Sequence, residues 1–424
     1  MKNQKGFAFI WVMLFIAIIM IIGVSFVSFS YSGLNMADRG AGVYKAFYTA
    51  EAGLAKKFMD FRDGNLNALS ENFTISTGVT GSYVATVTGA SPLFTISSTG
   101  TYRGISKTVS MTVRQMSYAE YSYISNSEEA LFWGPKGGNA GNVWFDTGDQ
   151  IRGPLMTNDQ LNIFGSPEFF GSVMSANATI NYYHDPGVDA PIFHSTLTLG
   201  APRIQMPVFG TAISTASQQA GGVYLNYSGT TQITINNNQT LTVENSNIAH
   251  PHVLTMNYPS NGAIYSTGTL AINSGIINGQ LTIGGGGDIY IKGNILYNND
   301  PQVNPDSTDM LGIVAASDVI IDSNTPRGSD LTINGYIVAQ TGGFYLQNYS
   351  TTNAKGTLNL LGGLSQAARG PVGTFSSSSG NKLTGYTKSY VYDTRFANQT
   401  PSFFPYAVDQ NGRYLYRKIL WRET

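Results

Sequence analysis

The sequence predicts an α+β chain that is mostly β. A long N-terminal helix lies on a small antiparallel sheet, and a large β-solenoid body follows, with a β-sandwich as the alternative for that body. Three observations carry this prediction. An unbroken apolar run near the N-terminus passes into a stretch of helical periodicity. A two-residue alternation then sets in as far as Val113. From about residue 117 helical periodicity almost vanishes, and short apolar triplets recur between Gly, Asn, Asp and Ser.

The apolar run spans Phe7 to Val27, and no charge stands between Lys5 and Asp38. A helix of about 21 residues reaches roughly 32 Å, the thickness of one hydrocarbon core. Lys2 and Lys5 precede the run and no cation closely follows it, which places the N-terminus inside and the body outside. Three fates fit this segment. It is a cleaved signal with a weak small-residue site at Gly23 to Ser25, a plain signal anchor, or a helix kept after a short leader is cut between Gly6 and Phe7.

Helical periodicity continues after the small residues Ser28, Ser30, Ser32 and Gly33. Val43, Ala46, Phe47, Ala50, Leu54, Phe58 and Phe61 fall on one stripe, with Asp38, Arg39, Lys45, Glu51, Lys56 and Lys57 interleaved. Gly40 and Gly42 each cost a helix about 1 kcal/mol against Ala, so a joint or a break is expected there. Strands follow at Tyr83–Thr88, Phe94–Ser97 and Thr108–Val113, punctuated by Gly89, Pro92, Gly100 and Gly104. Helix and sheet together give a domain over 28–116.

The remaining chain, 117–424, reads as one surface domain. Triplets such as Leu281-Thr282-Ile283, Ile289-Tyr290-Ile291, Val319-Ile320-Ile321 and Leu331-Thr332-Ile333 each sit near a glycine. Gly268, Gly293, Gly312, Gly335 and Gly362 recur at intervals of about 19–27 residues, within the range of stacked repeats. Rungs this thin cannot bury an apolar face alone, so they share one core by stacking.

Two stretches carry a family resemblance. Lys5-Gly6-Phe7 before an unbroken apolar helix resembles the leader of type IV prepilins. Ala50-Glu51-Ala52-Gly53-Leu54, at its distance from that leader, resembles the N-terminal region of PilX-type minor pilins. The likeness covers about the first 60 residues. It implies cleavage after Gly6 by a prepilin peptidase, methylation of Phe7, and a filament-core helix over 7–27 behind a 1–6 leader. One position departs from the family. Trp11 stands where major pilins carry Glu, which argues against a major subunit. The glycine- and tyrosine-rich chain over most of 140–410 is loosely similar to an uncharacterised domain found behind such leaders, and no chemistry comes with it.

Composition narrows the function. Charged residues make up 12% of the chain, the net charge is −1 and the pI about 6.4, so no global basic field exists to hold nucleic acid. The chain has no cysteine, which excludes disulfides, thiolate metal sites and cysteine nucleophiles. Asp146-Thr147-Gly148 matches one aspartic-protease triplet, but that chemistry needs a second and none exists, so a glycine turn is expected. His250-Pro251-His252 would place two imidazoles on one strand face without a third ligand. His184-Asp185 and His194 read as loop residues, and Gly284 to Gly287 as a rung turn without the ending of a phosphate loop. Asp300, Asp306 and Asp309, with Asn298 and Asn299, lack the spacing of a calcium loop. Arg413, Arg417, Lys418 and Arg422 among Tyr414, Tyr416 and Trp421 read as a last strand covering the solenoid end rather than a nucleic-acid grip.

The expectation is a minor pilin-like subunit of a type IV pilus or related pseudopilus, with no enzymatic activity, catalytic residue, metal or cofactor. It would leave the cytoplasmic membrane for the cell surface, with other pilins and the peptidase as partners and a surface ligand for the body. The alternative is a membrane-anchored surface binding protein outside any filament. A polysaccharide-degrading solenoid would need clustered carboxylates, which the low charge content disfavours.

Overall fold

The computed structural model describes residues 5–76, 79–130, 141–206, 212–324, 328–409, 411 and 413–423. The chain divides into two compact units, one of residues 1–115 with 415–424 and one of residues 116–414.

The first unit opens with one helix, α1, Lys5–Arg62. It runs without interruption through Gly40 and Gly42, where a joint or break was expected. A Cβ on Gly42 would meet Ile105 Cδ1 at 2.7 Å, so this glycine makes room for a neighbouring side chain. Residues 8–39 are exposed along their length, and this helix is long and apolar enough to cross a membrane. Its C-terminal part buries Ala46, Thr49, Ala50, Gly53, Leu54, Lys57 and Phe61 on one stripe. Lys57 departs from the expected polar face. Its chain is buried and its Nζ donates to the carbonyls of Asn65 (2.8 Å) and Asn67 (2.6 Å), which satisfies the charge and closes the turn after the helix.

That stripe packs on an antiparallel sheet of β1 (Leu69–Ser76), β2 (Val79–Ala90), β3 (Leu93–Tyr102) and β4 (Ile105–Gln115). Small residues set the spacing. A Cβ on Gly100 of β3 would lie 2.2 Å from Ala50 N and 2.5 Å from Ala46 O, so helix and strand backbones nearly touch. Gly53 similarly faces Tyr83 and Ser98. Ile96, Val109 and Val113 complete the core.

The fifth strand of this sheet corrects the sequence reading. Tyr416–Glu423 was expected to cover the end of the body. It pairs antiparallel with β4 instead, Tyr416 opposite Gln115 and Trp421 opposite Met111. Tyr416 packs against Phe61 (4.6 Å) and Phe94 (6.2 Å), and Trp421 meets Phe47 (6.2 Å). These aromatics serve the core of the first unit.

The second unit is a large β body. Most of its strands pair in parallel with strands two or three elements away, so equivalent residues lie over one another. One such column runs Ile264, Ile283, Ile313, Ile337, Leu364, Tyr123, Leu155 and Val173. A second runs Ile295, Ile333, Leu360, Tyr390, Ile151 and Phe169. These side chains are buried, and each contributes roughly 1.5–3 kcal/mol of apolar burial. The order is informative. The strand Ala354–Ala368 lies between Leu331–Ala339 and Tyr123–Ser127, so the earliest strands of the body continue from its latest ones. Chain entry and exit are bridged nearby, by Ser117 with Tyr406 and by Ala407 N donating to Met116 O (2.8 Å). Antiparallel exceptions are the hairpins formed by Thr231–Asn236, Thr240–Glu244 and Val253–Asn257 and by Gly373–Phe375 with Lys382–Tyr392.

Candidate functional site

Where early and late strands of the body meet, a buried network joins them. Glu128 and Arg369 form an ion pair (Oε2 to Nη1, 2.7 Å), and both are almost wholly enclosed. Arg369 also donates to the carbonyls of Val143 (3.2 Å) and Trp144 (3.1 Å), and its guanidinium lies 3.5 Å from the Phe145 ring centroid. Tyr123 and Ser125 donate to Glu128 Oε1, and Gln366 Nε2 donates to the Tyr123 hydroxyl (3.1 Å). Burial, then the charge of Glu128, pushes the Tyr123 phenol well above its ordinary range. Every charge here is answered by hydrogen bonds, so the network clamps neighbouring strands.

Beside the clamp is a cavity of about 360 Å³. One wall is the segment from Asn142 to Asp149, and another comes from residues 370–388. Trp144 and Tyr183 stand edge to face at 5.1 Å, while Phe375 packs on Phe164 at 4.2 Å. Tyr183 belongs to the lining and is 41% exposed. Asp146, Asp149, Lys382 and Lys388 supply its charged lining. Lys388 pairs with Asp149, and Asp149 Oδ2 also accepts from Asp146 N (3.0 Å). Asp146 Oδ1 accepts from Thr147 N (2.6 Å). Burial, and then the charge of Asp149, raises the Asp146 carboxyl to about 7; Lys388 and the Thr147 N–H oppose the shift. A second cation, Lys382, donates to the carbonyls of Lys355 (2.5 Å) and Gly356 (3.0 Å).

The residues singled out from the sequence fall in varied places. Lys5, Gly6 and Phe7 open α1, whereas Lys2 lies outside the described residues. Trp11 is 59% exposed among the apolar residues of the helix. Asp146-Thr147-Gly148 does form a turn, with Gly148 at φ 90°, and Asp146 lies in the cavity wall. His250 and His252 sit in a turn rather than on a strand face, with ring centroids 5.6 Å apart. His184 meets Asp189 (3.1 Å), and His194 meets Glu168 (3.2 Å) while stacking on Phe170. Gly284 and Gly285, expected in a rung turn, belong to the strand Gln280–Gly285, where a Cβ would strike Ile213 and Ile289. Asp309 is buried and accepts from Gly279 N and Asn299 N (both 2.7 Å), so it holds a loop in place. No cluster of three or more His, Asp or Glu suited to a metal occurs among the described residues.

Sequence reasoning missed the clamp and most of the cavity. Glu128 and Arg369 are 241 positions apart, and Asp149 and Lys388 are 239 apart, so no local spacing links them. The one signal was a lone arginine between Ala368 and Gly370 in a weakly polar stretch.

Residues 81–178 match a family described as a domain of unknown function, DUF4900. That span is under half of the chain and brings no chemistry. No curated protein matches the chain. Among solved structures, the competence-associated pilin ComZ from Thermus thermophilus is similar at 14% identity, over 90% of this chain and 98% of that one, with a TM-score of 0.39. A superposition that loose carries no argument about this chain.

Proposed function

We propose that the chain is a minor pilin-like subunit, inserted in the cytoplasmic membrane with its N-terminus inside and then built into a type IV pilus or related pseudopilus. The observation that carries this reading is α1: one uninterrupted helix, apolar and exposed over residues 8–37, and packed on an antiparallel sheet at its other end. Such a helix has two uses in succession. Lipid covers its apolar surface first, and the helices of neighbouring pilins cover it afterwards by close packing. Lys5-Gly6-Phe7 supplies the processing site, with Phe7 the methylated end. Trp11 cannot offer a carboxylate to a neighbour's amine, which suits a sparse or tip-placed subunit rather than the repeating one.

The body supports a parallel β-solenoid by its columns of like residues and its strand-to-next-turn pairing. Its role in this reading is display and adhesion, with no catalysis. A second reading, an anchored surface binder outside any filament, is favoured by the aromatic cavity alone.

The test is to produce the full-length protein with and without a prepilin peptidase and to measure intact mass and N-terminal sequence. Loss of Met1 to Gly6 and a methylated Phe7 are expected, and Gly6→Val should block both. A retained leader, or a cut beyond Val27, overturns the filament reading and leaves the anchored binder.

A further inference from the structure

We propose that the cavity between Trp144, Tyr183, Phe375 and Asp146 binds a neutral sugar, one or two pyranose units of a surface glycan. Its volume, about 360 Å³, falls in the lower part of the roughly 300–1,000 Å³ range of small-molecule sites. The chemistry of the lining selects the ligand class. Aromatic faces take the C–H side of a pyranose ring, and they exist here as the Trp144–Tyr183 pair and Phe375. A purely apolar ligand would bury the Asp146 carboxyl with only the Thr147 N–H to donate to it. Sugar hydroxyls donate to that group as carboxylate and accept from it as acid.

Charge excludes the main competitor. With Asp146 ionised, the described lining is balanced, Asp146 and Asp149 against Lys382 and Lys388. Lys388 is engaged by Asp149, and Lys382 by two carbonyls. Among the described residues of the lining, a phosphate or sulfate would meet only cations already engaged by a carboxylate or by carbonyls. Stacking alone would accept a nucleobase, but the described lining offers the backbone phosphates of a nucleic acid no cation beyond Lys382 and Lys388.

This inference deepens the adhesive part of the reading above and rests on it only for display of the body outside the cell. Sugar binding by the purified protein and peptidase processing are read in separate experiments, so either can fail alone. Full-length protein in a zwitterionic detergent, chosen because sugar-headed detergents would compete, is titrated with cellobiose, maltose, lactose and N,N′-diacetylchitobiose. Saturation-transfer NMR reports contact at ring C–H protons, and tryptophan fluorescence reports saturation. A short oligothymidine is the polyanion probe. At least one disaccharide should saturate the protein with a Kd in the region of about 1 mM, and Tyr183→Ala and Asp146→Asn should each weaken it about tenfold or more. Melting curves of both variants should stay cooperative, because Tyr183 is partly exposed and Asn is isosteric with Asp. The proposal is overturned if none of the disaccharides binds, if binding survives both substitutions, or if only the oligothymidine binds.

Discussion

At the scale of single residues, Asp146 carries the clearest physical consequence. Burial and the neighbouring Asp149 charge lift its carboxyl from an ordinary value of 3.8 to about 7 in the folded protein. The fold therefore holds a proton that the unfolded chain releases between those two values. The stability tied to that proton is fully present below about pH 4 and is lost as pH rises through about 7. Asp318, raised to about 6 by burial, acts in the same direction, so the useful quantity is a difference between proteins. Wild type should lose stability from pH 5 to pH 8 relative to Asp146→Asn by on the order of 1–2 kcal/mol, after discounting for solvent screening. Urea unfolding at the two pH values measures this, and parallel curves for the two proteins would refute it. Asp146 was legible as a turn residue because an Asp-Thr-Gly triplet is a local signal. Its chemical setting was not, because Lys388, which pairs with the adjacent Asp149, comes from 239 positions further along the chain.

Individual elements show which signals survive tertiary context. The stripe of α1 and the alternation of β2 to β4 were readable because each buries one face, and burial imposes the period. Intrinsic propensity misled at Gly42, where the site of an expected break is a packing site for Ile105. The small residues of Ala50-Glu51-Ala52-Gly53-Leu54, which carried the family resemblance, also have a mechanical role. Ala50 and Ala46 meet Gly100 across a gap that holds no side chain. Gly100→Val should force helix and strand apart, costing about 1–3 kcal/mol or more. Gly64→Ala, at a glycine whose Cβ would meet nothing but whose φ is 87°, is the comparison for backbone strain alone. Hydrogen exchange in β3 and α1 should rise for Gly100→Val, and unchanged protection there would count against this packing.

For the whole molecule, the decisive feature is that the first unit is completed by the last strand. Apolar triplets revealed stacked strands, yet nothing local showed that Tyr123–Ser127 follows Ala354–Ala368 in the stack. Nor could the alternation in Tyr416–Glu423 say which sheet it joins, since its partner β4 lies some 300 positions earlier. Deleting Tyr416–Glu423 should take Tyr416 from Phe61 and Trp421 from Phe47 and leave the β4 edge unpaired. Exchange protection should fall across β3 and β4 while residues 123–392 keep theirs. Uniform loss throughout, or no loss in the sheet, would contradict this topology.

The late closing strand also sets a clock on biogenesis. The ribosome makes β4 early, but its partner comes only after residues 116–414, roughly 15–60 s later at about 5–20 residues per second. Throughout that interval β4 keeps an unpaired edge. A chain terminated anywhere before Tyr416 never closes that edge. Pairing of this strand thus separates chains that carry Tyr416–Glu423 from chains cut short of it.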